Sequence, residues 1–392
     1  MESNIAELLT PEALALLNKL GPLDSKADVL SLITRLRNQG HEAVLVTAVV
    51  NQARLRHRAK AKFGEFANHM LYSEAGLEQA TRLPVAALHA ERFRQAGIKR
   101  VADLGCGIGA DAMSLAALDI TVLAVEQDEQ TAALATFNLA SFPNAKVIQA
   151  DAKSQDTQDM GVFIDPARRE INRKGRTHIR LTPSDFSPSL DWVFEKAKTA
   201  PTAVKLGPAT DHELIPEHCE AQWVSHNGDL VELMLYFGKL SRGNMRSALL
   251  IKNGERKVFD GVGEIQGAVR ELSEFIYEPD NSLIRSHLLG EFAAQYSLGL
   301  VSPAIAYLTG DQKLTTPWLR GFQVKEILPL DPKAINKYVI ENQIGILEIK
   351  KRGVDITPEE LRKKLRLKGS GTATLIMTKV LGARKAIIAN PI

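Results

Sequence analysis

The sequence predicts an α/β fold: a mostly parallel sheet covered on both faces, with a helical region before it and a small α+β unit after it. Three observations predict this. Short apolar runs alternate with helical stretches from Lys99 onward, residues 1–97 carry helical spacing alone, and residues 319–392 switch between the two periodicities. A chain of 392 residues is too long for one typical core. The expected division is a helical region over 1–97, an α/β domain over 98–318 and an α+β domain over 319–392; within the second, residues 252–318 show no clear pattern and their boundaries stay open.

In the helical region, apolar residues recur at helical spacing in Leu14-Leu16-Leu17-Leu20, Val29-Leu30-Leu32-Ile33 and Ala43-Val44-Val46-Val49-Val50. Thr10-Pro11-Glu12 reads as a helix start, with Thr10 as cap and Pro11 at the first helical position, where its missing N–H costs nothing. Strands of the sheet are read in Val101-Ala102, Thr121 to Val125, Lys146 to Ile148, Gly161 to Ile164 and Ala203 to Leu206, with Leu230 to Phe237 and Ser247 to Ile251 as adjoining strands. In the last domain Phe322 to Leu328 and Gly345 to Lys350 read as strands, and Asp331 to Ile340 and Thr357 to Leu367 as helices. Thr372 to Val380 with Lys385 to Ala389 closes it as a hairpin. Thr357-Pro358-Glu359-Glu360 gives the second of those helices a cap, a first-position proline and an acidic first turn.

An apolar fraction of 45% and a charged fraction of 24% exclude a disordered or fibrous chain. Two cysteines, Cys106 and Cys219, exclude a disulfide framework and cannot alone complete a zinc site, and His178, His212 and His226 lack metal-ligand spacing, so no metal is expected. The start of the chain has no basic segment before an apolar run, and no stretch approaches the roughly 18 uninterrupted apolar residues that a membrane helix needs. The expectation is a cytoplasmic protein that does not span a membrane. A net charge of +3 is too small to establish a nucleic-acid partner, but its distribution is uneven. Lys350 to Ile392 holds eleven Lys or Arg against three Asp or Glu, and a second basic cluster comprises Arg168, Arg169, Arg173, Lys174, Arg176 and Arg180. Local excesses of this kind attract phosphate.

The chemistry concentrates in Val101-Ala102-Asp103-Leu104-Gly105-Cys106-Gly107-Ile108-Gly109-Ala110-Asp111, an apolar strand entering a glycine-rich turn that opens a helix. Gly105-x-Gly107-x-x-Ala110 also satisfies a dinucleotide fingerprint, so the glycines alone do not identify the ligand. The acids discriminate. Asp103, two residues before Gly105, sets a carboxylate beside the turn, where a cationic amino group suits it better than a pyrophosphate. Glu126 lies 21 residues beyond Gly105 at the end of the second strand, placed to accept both ribose hydroxyls. Asp151, followed by Ala152, takes the equivalent place one strand later and can meet an adenine amino group, and Asp165-Pro166 ends the fourth strand. Four carboxylates at four successive strand ends sit where open α/β sheets bind ligands. Asp128 reads equally as a helix cap or a ligand.

On these residues the chain resembles the Rossmann-like class I methyltransferases, whose pattern of acid, Leu-Gly-Cys-Gly-x-Gly and Asp is met by Asp103 to Asp111 and continues through Glu126, Asp151 and Asp165-Pro166. The resemblance implies S-adenosyl-L-methionine as cofactor, held by Asp103, Gly105, Gly107, Gly109, Asp111, Glu126, Asp151 and Ala152. Leu77 to Arg82, Asp165 to Arg169, and Arg352-Gly353-Val354 with Leu361 to Leu365 are similar to bacterial methyltransferases carrying a C-terminal THUMP-like domain. THUMP domains accompany RNA-modifying enzymes, so the resemblance implies an RNA substrate.

Methyltransferases that act on base amino groups present Asp or Asn, Pro-Pro and an aromatic residue; here Ala167 and Arg168 replace the second proline and the aromatic. RNA carbon methyltransferases need a cysteine nucleophile, and neither Cys106 in the cofactor turn nor Cys219 in a polar stretch suits that role. The expectation is direct transfer, with Asp165 and the Pro166 carbonyl orienting an acceptor nitrogen and Arg168 and Arg169 contacting phosphate or a base edge. Lys205-Leu206-Gly207-Pro208 reads either as a wall of the acceptor pocket or as a plain strand and turn. Rival readings are an NAD-dependent oxidoreductase, which shares the glycine turn, a methyltransferase of a protein or small molecule, and a cofactor-binding module without turnover.

Overall fold

The computed structural model describes residues 5–20, 26–168, 181–263 and 265–392. Contacts divide the chain into two compact units: Met1–Leu206, Asp211–Leu214 and Leu235–Arg242 in the first, Gly207–Thr210, Ile215–Met234 and Gly243–Ile392 in the second.

The first unit opens with α1 (Ile5–Leu8), α2 (Pro11–Lys19), α3 (Lys26–Asn38), α4 (Ala43–Phe63), α5 (Glu74–Gln79) and α6 (Leu83–Gln95). Among the described residues no strand interrupts them. Thr10 caps α2, its hydroxyl accepting from the Ala13 N–H, and Pro11 opens the helix. Then follow β1 (Arg100–Leu104), α7 (Ala110–Ala116), β2 (Thr121–Glu126), α8 (Glu129–Leu139), β3 (Ala145–Gln149), β4 (Gly161–Ile164), β5 (Ala167–Arg168), β6 (Phe186–Ser187), α9 (Leu190–Ala197) and β7 (Thr202–Leu206). The helical stretch shares this unit because α1 packs on α4 and α8, and α6 packs on α7.

β7, β4, β1, β2 and β3 are parallel neighbours in that order. The chain leaves β1 towards β2 and β3 on one side and returns to β4 and β7 on the other, which opens a crevice beyond the carboxyl ends of β1 and β4. All of β4 and all but the first residue of β1 are buried, as a sheet covered on both faces requires. β5 and β6 form a two-residue antiparallel ladder.

In the second unit β8 (Glu220–His226), β9 (Asp229–Tyr236), β10 (Met245–Lys252) and β11 (Glu255–Gly261) stand in the order β11-β10-β8-β9. β9 passes its last two residues, Leu235 and Tyr236, to the first unit. Asn227-Gly228 and Asn253-Gly254 make the tight turns after β8 and β10, with φ of 50° and 92° in one and 52° and 81° in the other. Paired positive φ is what the right-handed twist of hairpin strands selects.

Residues 252–318, which carried no clear pattern, hold β11, β12 (Phe275–Pro279), α10 (Asn281–Arg285), α11 (Leu289–Gln295), β13 (Gly299–Ser302) and β14 (Ile305–Gly310). β15 (Leu319–Pro329), α12 (Pro332–Glu341), β16 (Ile344–Lys351), α13 (Pro358–Arg362), β17 (Gly371–Val380) and β18 (Ala383–Pro391) complete the chain. Seven strands form one sheet in the order β13-β14-β12-β15-β18-β17-β16, so residues 275–310 share a sheet with the C-terminal strands. The helix expected over Thr357 to Leu367 stops at Arg362 instead. The N–H groups of Lys364 and Leu365 bond three residues back, tightening the last turn, and Leu365 and Leu367 pack against the core of Ile335, Val339 and Leu361.

Candidate functional site

The crevice of the first unit is built on the glycine turn after β1. Gly105, Gly107 and Gly109 have φ of 89°, 55° and 88°, a left-handed path that residues with a Cβ adopt at a cost. Backbone N–H groups of Gly105 and Cys106 both donate to the Val125 carbonyl, at 2.8 and 3.0 Å, which ties the turn to β2. Glu126, one residue on, closes the clamp: its two carboxylate oxygens accept from the N–H of Gly107 and of Asp128, each at 3.0 Å. Asp128 serves as the cap of α8, accepting from Thr131, so the helix-cap reading of that residue is the one realised.

Asp103 sits one residue before the end of β1 and is 1% exposed, with no hydrogen-bond partner on either oxygen among the described residues. Burial drives its pKa well above the usual carboxylate range; the charges of Asp111, Asp165 and Glu126 push the same way, and Lys205 opposes them. A buried carboxyl lacking donors calls for a cation or a multiple donor. The ammonium of a methionine-type cofactor fits that requirement, whereas a pyrophosphate would repeat the charge of the surrounding acids.

Asp111, at the start of α7, is buried and engaged at both oxygens: the Thr81 hydroxyl donates at 2.7 Å and His89 Nδ1 lies at 2.8 Å. A carboxylate only accepts, so Nδ1 carries the proton. Burial works to raise the Asp111 pKa, but the His89 hydrogen bond and charge, the Lys205 charge and the Thr81 hydroxyl outweigh it and hold it low. Thr81 in turn accepts from Lys205 Nζ at 2.9 Å, and Lys205 Nζ lies 2.5 Å from Asp165 Oδ2. The pair follows from register: Ile164 of β4 stands beside Val204 of β7, so the next residue of each strand, Asp165 and Lys205, meet. Lys62 ties α4 to the segment bearing Thr81 by donating to the carbonyls of Leu77, Glu78 and Ala80. Burial and the charges of Arg82 and Lys205 lower its pKa to about 8.

Asp151 is exposed at the end of β3 and caps the short turn Ala152–Ser154, accepting from the Lys153 N–H at 2.9 Å. Pro166 is buried beside Asp165, Arg168 is exposed in β5, and Arg169 lies outside the described residues, as do Arg173, Lys174, Arg176, His178 and Arg180. Asp103, the glycines, Glu126, Asp151, Ala152, Asp165 and Pro166 lie on strand ends and the adjoining turns, and Asp111 in the first turn of α7, the places expected from the sequence. The sequence reading missed His89, and the ion pair of Lys205 with Asp165. Thr81 stood in a motif picked out by resemblance, with no chemistry attached to it. Among the described residues no helix is long and apolar enough to cross a membrane. Nor, among them, does any group of three or more His, Cys, Asp or Glu suit a metal ion.

Residues 65–166 match the family model described as methyltransferase small domain, residues 319–391 one described as THUMP domain-like, and residues 3–59 a domain of unknown function. Over 341 residues the chain is 31% identical to uncharacterized S-adenosylmethionine-dependent methyltransferases of two Mycobacterium tuberculosis strains, CDC 1551 and H37Rv, covering 85% of this chain and 92% of theirs. The crystal structure of a protein assigned as a methyltransferase from Porphyromonas gingivalis W83 shares the fold, with a TM-score of 0.74 and 18% identity over 94% of this chain and 99% of that one. With kinship of that extent over most of both chains, and a glycine turn beside a buried acid that a cationic ligand suits, the protein belongs to the S-adenosylmethionine-dependent methyltransferases and takes its methyl group from S-adenosylmethionine.

Proposed function

We propose that the enzyme methylates a base in cytoplasmic RNA by direct transfer to a nitrogen. The observation that carries the RNA reading is the match of residues 319–391 to the THUMP domain-like model, in a region where Lys350 to Ile392 holds eleven basic residues against three acidic ones. Asp103 holds the cofactor ammonium, Glu126 the ribose hydroxyls, and Asp151 with Ala152 the adenine; Gly105, Gly107 and Gly109 let the backbone approach. Asp111, engaged by Thr81 and His89, acts here by fixing the start of α7. When bound, S-adenosylmethionine supplies a methyl group on a positively charged sulfur that departs as a neutral thioether, while the acceptor nitrogen releases a proton to solvent.

Asp165 and the Pro166 carbonyl accept the N–H hydrogen bonds of the acceptor and hold its lone pair towards the crevice. Arg168 and Arg169 contact a phosphate or base edge. A cysteine route to carbon finds no support, because burial first and the nearby carboxylates second push the Cys106 thiol well above its usual range, and burial with Glu220 pushes Cys219 up to about 12.

The test is transfer from labelled S-adenosylmethionine into RNA from cells lacking the protein, followed by nucleoside mass analysis. A new methylated nucleoside that disappears with Asp165→Ala, while cofactor affinity stays within about twofold, is the expected result. Unlabelled RNA beside a labelled protein or small-molecule fraction would end the RNA reading.

A further inference from the structure

We propose that Lys205 is the positioning residue of the methyl-transfer site, orienting the Asp165 carboxylate through a buried strut that runs from Lys205 through Thr81 and Asp111 to His89. The inference rests on the reading of Asp165 as the acceptor-binding acid. Asp165 is the most accessible member of the set, its side chain 35% exposed, and alone it would sample several rotamers at the head of β4. Lys205 is 12% exposed, and its ammonium is fixed from two directions, by Asp165 at 2.5 Å and by the Thr81 hydroxyl at 2.9 Å.

The strut has one polarity. Lys205 donates to Thr81, the Thr81 hydroxyl donates to one oxygen of Asp111 at 2.7 Å, and His89 donates to the other at 2.8 Å. Reversing the Lys205 link would set donor against donor, and reversing either link to Asp111 would set acceptor against acceptor, so the chain of bonds holds a single arrangement. Its members come from β7, the segment before α6, α7 and α6 itself, and three of them are buried. A carboxylate fixed this way meets an acceptor without first ordering itself, which is how supporting residues raise the rate of an aligned transfer.

The charge of the same ammonium also acts on Asp103. The charged groups around that acid are Asp111 on α7, Asp165 after β4, Lys205 on β7 and Glu126 on β2, and Lys205 is the cation among them that offsets its raised pKa. This second consequence gives a readout that needs no acceptor.

Two measurements on the full chain test the assignment. Calorimetric titration with S-adenosylmethionine across pH is expected to show affinity rising with pH, with a midpoint that moves upward in Lys205→Met and stays in place in Lys205→Arg. At a pH above both midpoints, methyl transfer is expected to fall on the order of tenfold to a hundredfold in kcat for Lys205→Met with cofactor KM little changed, to recover largely in Lys205→Arg, and to fall less in Thr81→Val, with Thr81→Ser restoring it. Where Lys205→Met does not fold, Lys205→Gln keeps a donor without the charge and carries the same expectations. An unmoved midpoint in a folded variant, or an unchanged kcat beside an active parent, overturns the role of Lys205. If the parent transfers nothing to RNA but methylates a protein or small-molecule fraction, the RNA reading fails, and the kcat of Lys205→Met on that acceptor decides the positioning role.

Discussion

Asp103 works against the fold, and in the proposed site it works for the ligand. Its pKa is raised by burial, then by neighbouring carboxylates, so the folded protein holds this proton more tightly than the unfolded chain. Its contribution to stability is full below the unfolded value of about 3.9 and is lost as pH rises through the folded value. Asp103→Asn should therefore melt no lower than the parent at neutral pH, and higher as pH rises, while losing about tenfold to a hundredfold in S-adenosylmethionine affinity, as expected for a charge-assisted bond of about 1.5–3 kcal/mol. Scanning calorimetry with ligand titration checks both halves, and a variant that melts lower yet binds normally would contradict the account. His89→Ala should have the opposite character: it strips the Asp111 carboxylate, 7% exposed, of one partner and should cost about 3–5 kcal/mol in urea unfolding. At this scale the sequence was readable wherever a role depends on near neighbours. Thr10 and Thr357 cap the helices that follow them, Asp103 stands two residues before its glycine, and Asp128, open between cap and ligand in the sequence, caps α8. Thr81, His89 and Lys205 were not readable as a set, because 124 residues separate Thr81 from Lys205 and only the packed fold brings the segment before α6 to the end of β7.

Among the elements, the glycine turn and the five parallel strands were legible because short apolar runs alternate with helical stretches. The stretch after Lys252 was obscure for a physical reason: β11 buries no residue fully, so it lacks the apolar alternation that marks a strand. Its start was nonetheless signalled by Asn253-Gly254, a pair suited to a two-residue hairpin. Gly254→Val tests that geometry cleanly, since a Cβ there would meet no atom within 4 Å and only the φ of 81° opposes it. A loss of about 1–2 kcal/mol in urea unfolding is expected, and a neutral substitution would show that the turn relaxes to another type. α13 ended earlier than its cap and proline suggested, because Leu365 and Leu367 are drawn into a core that no helical period would have let them reach together.

For the whole chain, the boundary read at residues 318 and 319 falls inside a sheet. β12 pairs with β15 from Phe275 opposite Gln323 to Pro279 opposite Leu319, so the last domain supplies the partner of a strand that precedes it. A chain ending at Trp318 should leave that edge and the buried Ile276 and Tyr277 uncovered, and should aggregate on size-exclusion chromatography where the full chain does not. At the other end, the side chain of Asn138 accepts from the Leu71 N–H at 2.7 Å and donates to the carbonyls of Leu71 and Ile108 at 3.0 and 2.9 Å. Ile108 belongs to the glycine turn, and a Cβ on Gly76 would fall 2.5 Å from its side chain. One amide thus stitches the segment ahead of α5 onto the glycine turn. A graft meant to carry the proposed cofactor site should therefore begin upstream of Leu71, because one that starts at Lys99 would inherit the glycines and their Glu126 clamp yet lose the hydrogen bonds of Leu71 that brace the turn through Asn138.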